Sequence, residues 1–337
     1  MSNITKGVWV GAGIAAVGVA AVVSHKITNY MMQVALDRDL PKVRNMEKSS
    51  QKMLGEKMNP NIEASLALAK KEFENTPHET VEMICGTGEK LVGHWFPCEN
   101  AQRTLIAMHG WRSSWAFDFG LISDFWRKNH CNILCVEQRA HNNSDGDYLG
   151  FGLLERYDCR DWVSWVNDKL GSEVLPIYLC GVSMGATSVL MASGLDLPVN
   201  VHGIIADCGF TSPHDIWVHV AKNNLRISSK MRSSVADRIC KEKINVGSKS
   251  YSTIDALKAT KIPVLFIHGS DDHFVPVRMT YENYKACVSP KRLLIVPGAE
   301  HGLSYCVDKV QYEAAVYRFW EEFDYRYEKK YFDYKRK

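Results

Sequence analysis

The chain has 337 residues, 46% of them hydrophobic and 23% charged, with a formal net charge of +3. That length can bury a large core, in one big α/β domain or in two. The near-neutral balance, with no Lys/Arg-rich face interleaved with aromatics in the interior, gives no case for a nucleic-acid partner.

The first segment to stand out is GVWVGAGIAAVGVAAVV, residues 7–23, which carries no charge. As a helix it would be about 26 Å long, just under the hydrocarbon thickness of a bilayer. Gly7 and Gly11 form a G-x-x-x-G pair that permits close helix pairing. The expectation is a transmembrane anchor over residues 1–25 and hence a membrane localisation. A cleaved signal peptide and a buried helix are the alternatives: Lys6 precedes the run, but no clean A-x-A site stands before Ser24. Lys26, Arg38 and Lys42 follow the run, against Lys6 before it, which slightly favours a cytoplasmic C-terminal part.

Residues 26–78 read as a tether and a packing helix, with Ile62, Leu66, Ala69 and Phe73 on one helical face. A hairpin is predicted to turn at Gly86-Thr87-Gly88. Strands and helices then alternate through a domain spanning 79–325. Strands are predicted at 103–108, 132–136, 177–180, 202–206, 263–268 and 291–295, and helices near 118–129, 155–170, 184–194, 277–287 and 303–324. Continuously apolar strands such as Pro263-Val264-Leu265-Phe266-Ile267 suit a mostly parallel sheet covered on both faces. The fold class is therefore α/β. Residues 207–262 break the alternation with helix-like pieces around 213–223 and 228–243, and read as a helical cap over the carboxyl ends of the strands. Residues 326–337 form a charged tail. Ten cysteines without C-x-x-C spacing read as mostly free thiols.

Residues 178–190, YLCGVSMGATSVL, place Ser183 between Gly181 and Gly185. An apolar run precedes it and helix-forming residues follow, the context of a nucleophile elbow. A nucleophilic serine also needs a base, an acid and an oxyanion hole at strand ends. His301, after the strand in LLIVPGAEHGLS, supplies the base. VLFIHGSDDHFVP offers Asp271 and Asp272 as the acid, and Asp207 ends the preceding strand. The Trp111 N–H, after the strand in LIAMHGWRSS, and the Met184 N–H are candidate oxyanion donors. His109 reads as a structural turn residue.

With these pieces assembled, residues 80–320 resemble the α/β-hydrolase superfamily, in the branch of bacterial serine-aminopeptidase-like and monoacylglycerol-lipase-like serine hydrolases. The matching motifs are HGW at 109, GVSMG at 181, HGSDDHFVP at 268 and EHG at 300. In the family's H-G-x-x-D-x-x-V-P pattern the acid falls on Asp272. The loop EQRAHNNSDGDYLGFGLLERYD, residues 137–158, resembles the family's D-x-R-G-H-G-x-S loop, but Glu137 replaces Asp, and Ala140 and Asn142 replace glycines. The resemblance implies hydrolysis of an ester, thioester or amide without a metal or organic cofactor. The substrate expected is a small-molecule or lipid-like ester. A peptidase, thioesterase or acyltransferase on the same acyl-enzyme is the alternative, and a non-catalytic binding protein of this fold the third reading.

Overall fold

The computed structural model describes residues 25–40, 59–224 and 230–324. Its centre is an eight-stranded sheet in the order β1-β2-β4-β3-β5-β6-β7-β8. The strands are β1 (Glu79–Ile84), β2 (Lys90–Phe96), β3 (Arg103–Met108), β4 (Cys131–Glu137), β5 (Ile177–Val182), β6 (Val201–Asp207), β7 (Val264–Gly269) and β8 (Lys291–Val296). Only β2 runs against its neighbours, pairing antiparallel with β1 and β4. From β4 to β8 every pairing is parallel. Each residue of β3, β4 and β7 is buried, as strands covered on both faces require.

Helices fill both faces. In chain order they begin with α1 (25–36), α2 (Pro60–Glu74), α3 (Trp115–Lys128), α4 (Glu155–Leu170) and α5 (Met184–Ala192). One face holds a core in which Trp162 and Val166 of α4 meet Val189 of α5 and Ile106 of β3. The other joins Phe119 and Trp126 of α3 to Phe319 and Trp320 of the C-terminal helix. That C-terminal element, read from the sequence as one helix, breaks at Asp308 into α10 (Ser304–Val307) and α11 (Lys309–Phe323). The Asp308 side chain caps α11 by accepting the Gln311 N–H at 2.9 Å. The interval 207–262 holds α6 (Pro213–His219), a π turn (Val220–Asn224), α7 (Lys230–Ile244) and α8 (Thr253–Ala259), and α9 (Val277–Ala286) follows β7. All ten cysteines are free thiols.

Two expectations about the N-terminus change. The single-pass anchor, and with it the membrane localisation and the membrane as a partner, is corrected. Among the described residues no helix is long and apolar enough to cross a membrane. Residues 7–23 themselves lie outside the described residues, and their Gly/Ala-rich sequence fell just short of the needed length. The stretch read as a tether is in part a docked element: Met32, Val34 and Leu36 of α1 are buried against the body.

The tightest packing is at the β5–α5 turn. A Cβ placed on Gly185 would lie 1.8 Å from the Met108 carbonyl oxygen, and one on Gly181 would lie 2.4 Å from the Gly185 backbone. Backbone stands where any side chain would go. Gly185→Ala should therefore lower stability by about 3 kcal/mol, the upper range for overpacking, read as a drop in the urea midpoint; an unchanged midpoint would refute this contact.

Candidate active site

Ser183 sits at the turn between β5 and α5 with φ 55° and ψ −116°, in the left-handed half of backbone space. Non-glycine residues enter that region at a cost, and persist there when surrounding structure dictates it. Here the Ser183 N–H donates to the Asp207 carbonyl at 2.9 Å and its own carbonyl accepts the Thr187 N–H at 3.0 Å. The turn is pinned on both sides.

Three sequence candidates come together. The Ser183 hydroxyl donates to His301 Nε2 at 2.9 Å. His301 Nδ1 donates to Asp272 Oδ2 at 2.6 Å. Each is carried by the segment just past a strand's carboxyl end, β5, β8 and β7 respectively. Of the competing acids, Asp271 is exposed and accepts the Ser270 hydroxyl at 2.6 Å. Asp207 is buried and accepts the Ser304 hydroxyl at 3.1 Å.

Asp272 stays charged although burial opposes it. His301, and His268 with its hydrogen bond, hold the carboxyl well below the usual carboxylate range. Oδ1 also accepts the N–H groups of Phe274 and Val275, at 2.9 and 2.8 Å. For His301, burial works against the imidazolium. The Asp272 charge and hydrogen bond, with Cys208 alongside, outweigh it and push the imidazole well above the ordinary value of 6.5. Asp207 shows the contrary balance: burial pushes it up to about 6.

Beside the serine runs the loop after β3. A Cβ on Gly110 would stand 3.4 Å from Ser183 Cβ. Among the described residues neither the Trp111 N–H nor the Met184 N–H has a hydrogen-bond partner. His109 is a turn residue: Nδ1 donates to the Gly110 carbonyl at 2.8 Å and Nε2 accepts the Gln138 N–H at 3.1 Å. Burial, with His141 nearby, lowers its pKa to about 3, so it is neutral.

Three contributors escaped the sequence reading. His268 is fully buried and donates to Asp272 Oδ2 at 3.1 Å. Its place in HGSDD, four residues before the acid, was the available signal. Asp118 accepts the Gly110 N–H and the Ser113 hydroxyl, both at 2.6 Å, and so fixes the loop beside the serine. No motif marked it. The third is α1, whose Met32 and Leu36 join Met184, Phe151 and Phe210 in one apolar cluster.

One set of possible metal ligands occurs here: Cys208, Asp272 and His301 offer ligand atoms within 4.8 Å of one another. Asp272 and His301 already bond each other, so an ion would have to displace that hydrogen bond. In the 137–158 loop, Ala140 and Asn142 keep positive φ, 58° and 46°, at the positions where the resemblance calls for glycine. Glu137, in place of aspartate, accepts the Asn143 N–H at 2.6 Å and bonds His94 Nε2 at 2.9 Å.

No family model matches the chain. It is similar to the uncharacterized protein YqkD of Bacillus subtilis, 29% identical over 188 residues. That match covers 56% of this chain and 61% of the relative, so it spans under two thirds of the relative's length. The Pyrococcus furiosus esterase Pf2001 is similar in structure, with a TM-score of 0.61 and 22% identity, over 74% of this chain and 92% of that one. The α/β hydrolase GrgF of Penicillium sp. sh18 follows at a TM-score of 0.58 and 16% identity, over 74% and 99%. With an eight-stranded, mostly parallel sheet and flanking helices, the chain has the α/β-hydrolase fold.

Proposed function

We propose that the chain is a serine hydrolase that cleaves a carboxylic ester through an acyl-enzyme. The observation that carries the reading is the unbroken hydrogen-bonded line Ser183–His301–Asp272 at 2.9 and 2.6 Å. It starts at a serine in strained backbone geometry beside two N–H groups that have no partner among the described residues. Two independent features thus converge on one oxygen atom.

In this reading Ser183 Oγ attacks the ester carbonyl carbon while its proton passes to His301 Nε2. The Trp111 and Met184 N–H groups receive the developing oxyanion. Asp272 holds the Nδ1–H tautomer and balances the imidazolium. His301 then gives the proton to the leaving alkoxide oxygen, releasing the alcohol. Water, deprotonated by the same imidazole, attacks the acyl-enzyme carbonyl, and His301 gives that proton to Ser183 Oγ as the serine–acyl bond breaks and the carboxylic acid leaves. An ester with an apolar acyl chain is favoured because Met184, the residue after the serine, belongs to one apolar cluster with Phe151, Phe210 and Ile216, with Trp217 packed against it, and Phe274 lies against the His301 ring.

A fluorophosphonate probe should label the wild type covalently, and Ser183→Ala should abolish labelling and turnover while the fold persists. Asp272→Asn should cost about 10⁴-fold in kcat through the wrong imidazole tautomer, with little change in Asp271→Asn. The reverse ranking would reassign the acid.

Only the neutral imidazole accepts the serine proton, so raising its pKa moves the active range upward in pH. The ascending limb of kcat/KM should lie above 6.5, the ordinary histidine value. A limb at or below that value in a pH–rate profile would contradict the coupling to Asp272.

If the apolar cluster binds the acyl chain, each buried methylene gains about 0.8 kcal/mol until the space is filled. A p-nitrophenyl ester series should rise from acetyl to medium chains and then fall, and Trp217→Ala should shift the maximum. A flat profile in both proteins would remove the acyl pocket from the reading.

A further inference from the structure

The loop that carries the Trp111 N–H is held by α1, which lies outside the sheet altogether. The Trp111 indole Nε1 donates to the Ala35 carbonyl at 3.0 Å. The Arg112 guanidinium spreads over the same helix end. Its Nε and Nη2 donate to the Val34 carbonyl at 3.1 and 2.9 Å, and its Nη1 to the Arg38 carbonyl at 3.0 Å. Nη2 also donates to the Asp37 carbonyl. A helix's last carbonyls have no partner within the helix and carry its negative dipole end. A planar cationic fork satisfies both conditions.

The contact constrains the loop as well as the helix. Arg112 has φ 52°, and its N–H donates to His141 Nε2 at 3.0 Å. A non-glycine residue in that conformation needs outside support. The helix end can give support because it is fastened elsewhere. Leu149 N–H donates to the Leu36 carbonyl at 2.7 Å and Arg38 N–H to the Asp147 carbonyl at 2.8 Å. Arg38 Nη1 and Nη2 donate to the Ser144 and Asn142 carbonyls, each at 2.6 Å. Lys243 of α7 pairs with Asp37 at 2.7 Å. Leu36 is wholly buried.

We propose that α1 is a working part of the oxyanion hole and that Arg112 is its positioning residue, holding the Trp111 N–H where the tetrahedral oxyanion forms. The inference rests on the reading of Trp111 and Met184 as oxyanion donors. A donor that serves only the transition state affects kcat and leaves ground-state binding alone. The role therefore has a signature that a merely structural contact lacks.

The test compares wild type, Arg112→Ala, Arg112→Lys and Leu36→Ala as full chains, with p-nitrophenyl butyrate as substrate. An aryl trifluoromethyl ketone serves as the tetrahedral mimic, and Tm is followed throughout. In Arg112→Ala kcat should fall about 10- to 100-fold, the scale of an ångström's misplacement. KM should stay near the wild-type value and the inhibition constant of the ketone should rise in proportion to the loss in kcat. Arg112→Lys, which keeps the charge but not the fork, should lose less. Leu36→Ala leaves the loop sequence intact and should move kcat and ketone affinity the same way. Should Arg112→Ala not fold, the other two variants carry the comparison. An active wild type whose variants keep kcat and ketone affinity, or lose only Tm or KM, would overturn the role of α1 and Arg112. A wild type that neither hydrolyses esters nor reacts with the fluorophosphonate would instead overturn the hydrolase reading beneath it.

Discussion

The Met108 carbonyl oxygen occupies the space that a side chain at residue 185 would need, 1.8 Å from where its Cβ would be. That contact fixes how closely α5 passes β3, and the rest of the site depends on it. With Gly181 pressed against the Gly185 backbone on the other side, the turn between β5 and α5 has no room to relax. Ser183 is left at φ 55° with its hydroxyl presented beyond the sheet. The cost of that conformation is borne by burial of all of α5, which has no exposed residue, in the core on either side.

A second constraint is electrostatic. A carboxylate buried away from water is normally neutralised. Asp272 avoids this because both of its oxygens are occupied by donors: Phe274 and Val275 N–H on Oδ1, His268 and His301 on Oδ2. Asp207, one strand away and also buried, is pushed up to about 6. The two aspartates are similar in sequence setting, but the pKa of one is raised and that of the other lowered. The difference lies in the His301 and His268 rings that face and hydrogen-bond Asp272, where Asp207 accepts the Ser304 hydroxyl.

The same contrast marks what can be read from residue order. The strands were legible because parallel strands buried on both faces are apolar throughout, as at Val264–Gly269. The Ser183 turn was legible because its flanking glycines are a local steric demand. The choice among Asp207, Asp271 and Asp272 was open on residue type and position, since all three end strands. It was decided by family pattern, and burial and donor count became visible only in three dimensions. Asp118 and Arg112 act through backbone partners that no spacing rule announces, whereas His268 stands four residues before the acid it serves. In α1, HKITNYMMQVAL reads as a mixed polar stretch, and its buried face has meaning only opposite residues such as Phe151 and Met184. The glycines expected in the 137–158 loop were a demand on φ, and Ala140 and Asn142 meet it without being glycine.

The docking of α1 has a consequence for the order in which the molecule is built. The helix is synthesised before every group that receives it. Arg38 waits for the Asn142 carbonyl, 104 residues later, and Asp37 for Lys243 in α7. Closing such long loops costs entropy, which grows slowly with loop length. The sheet and its elbow can form from residues 79 onward while α1 is still unpartnered. A compact chain without its first helix in place would leave Met184, Phe151 and Phe210 without the Met32 and Leu36 side chains that pack with them.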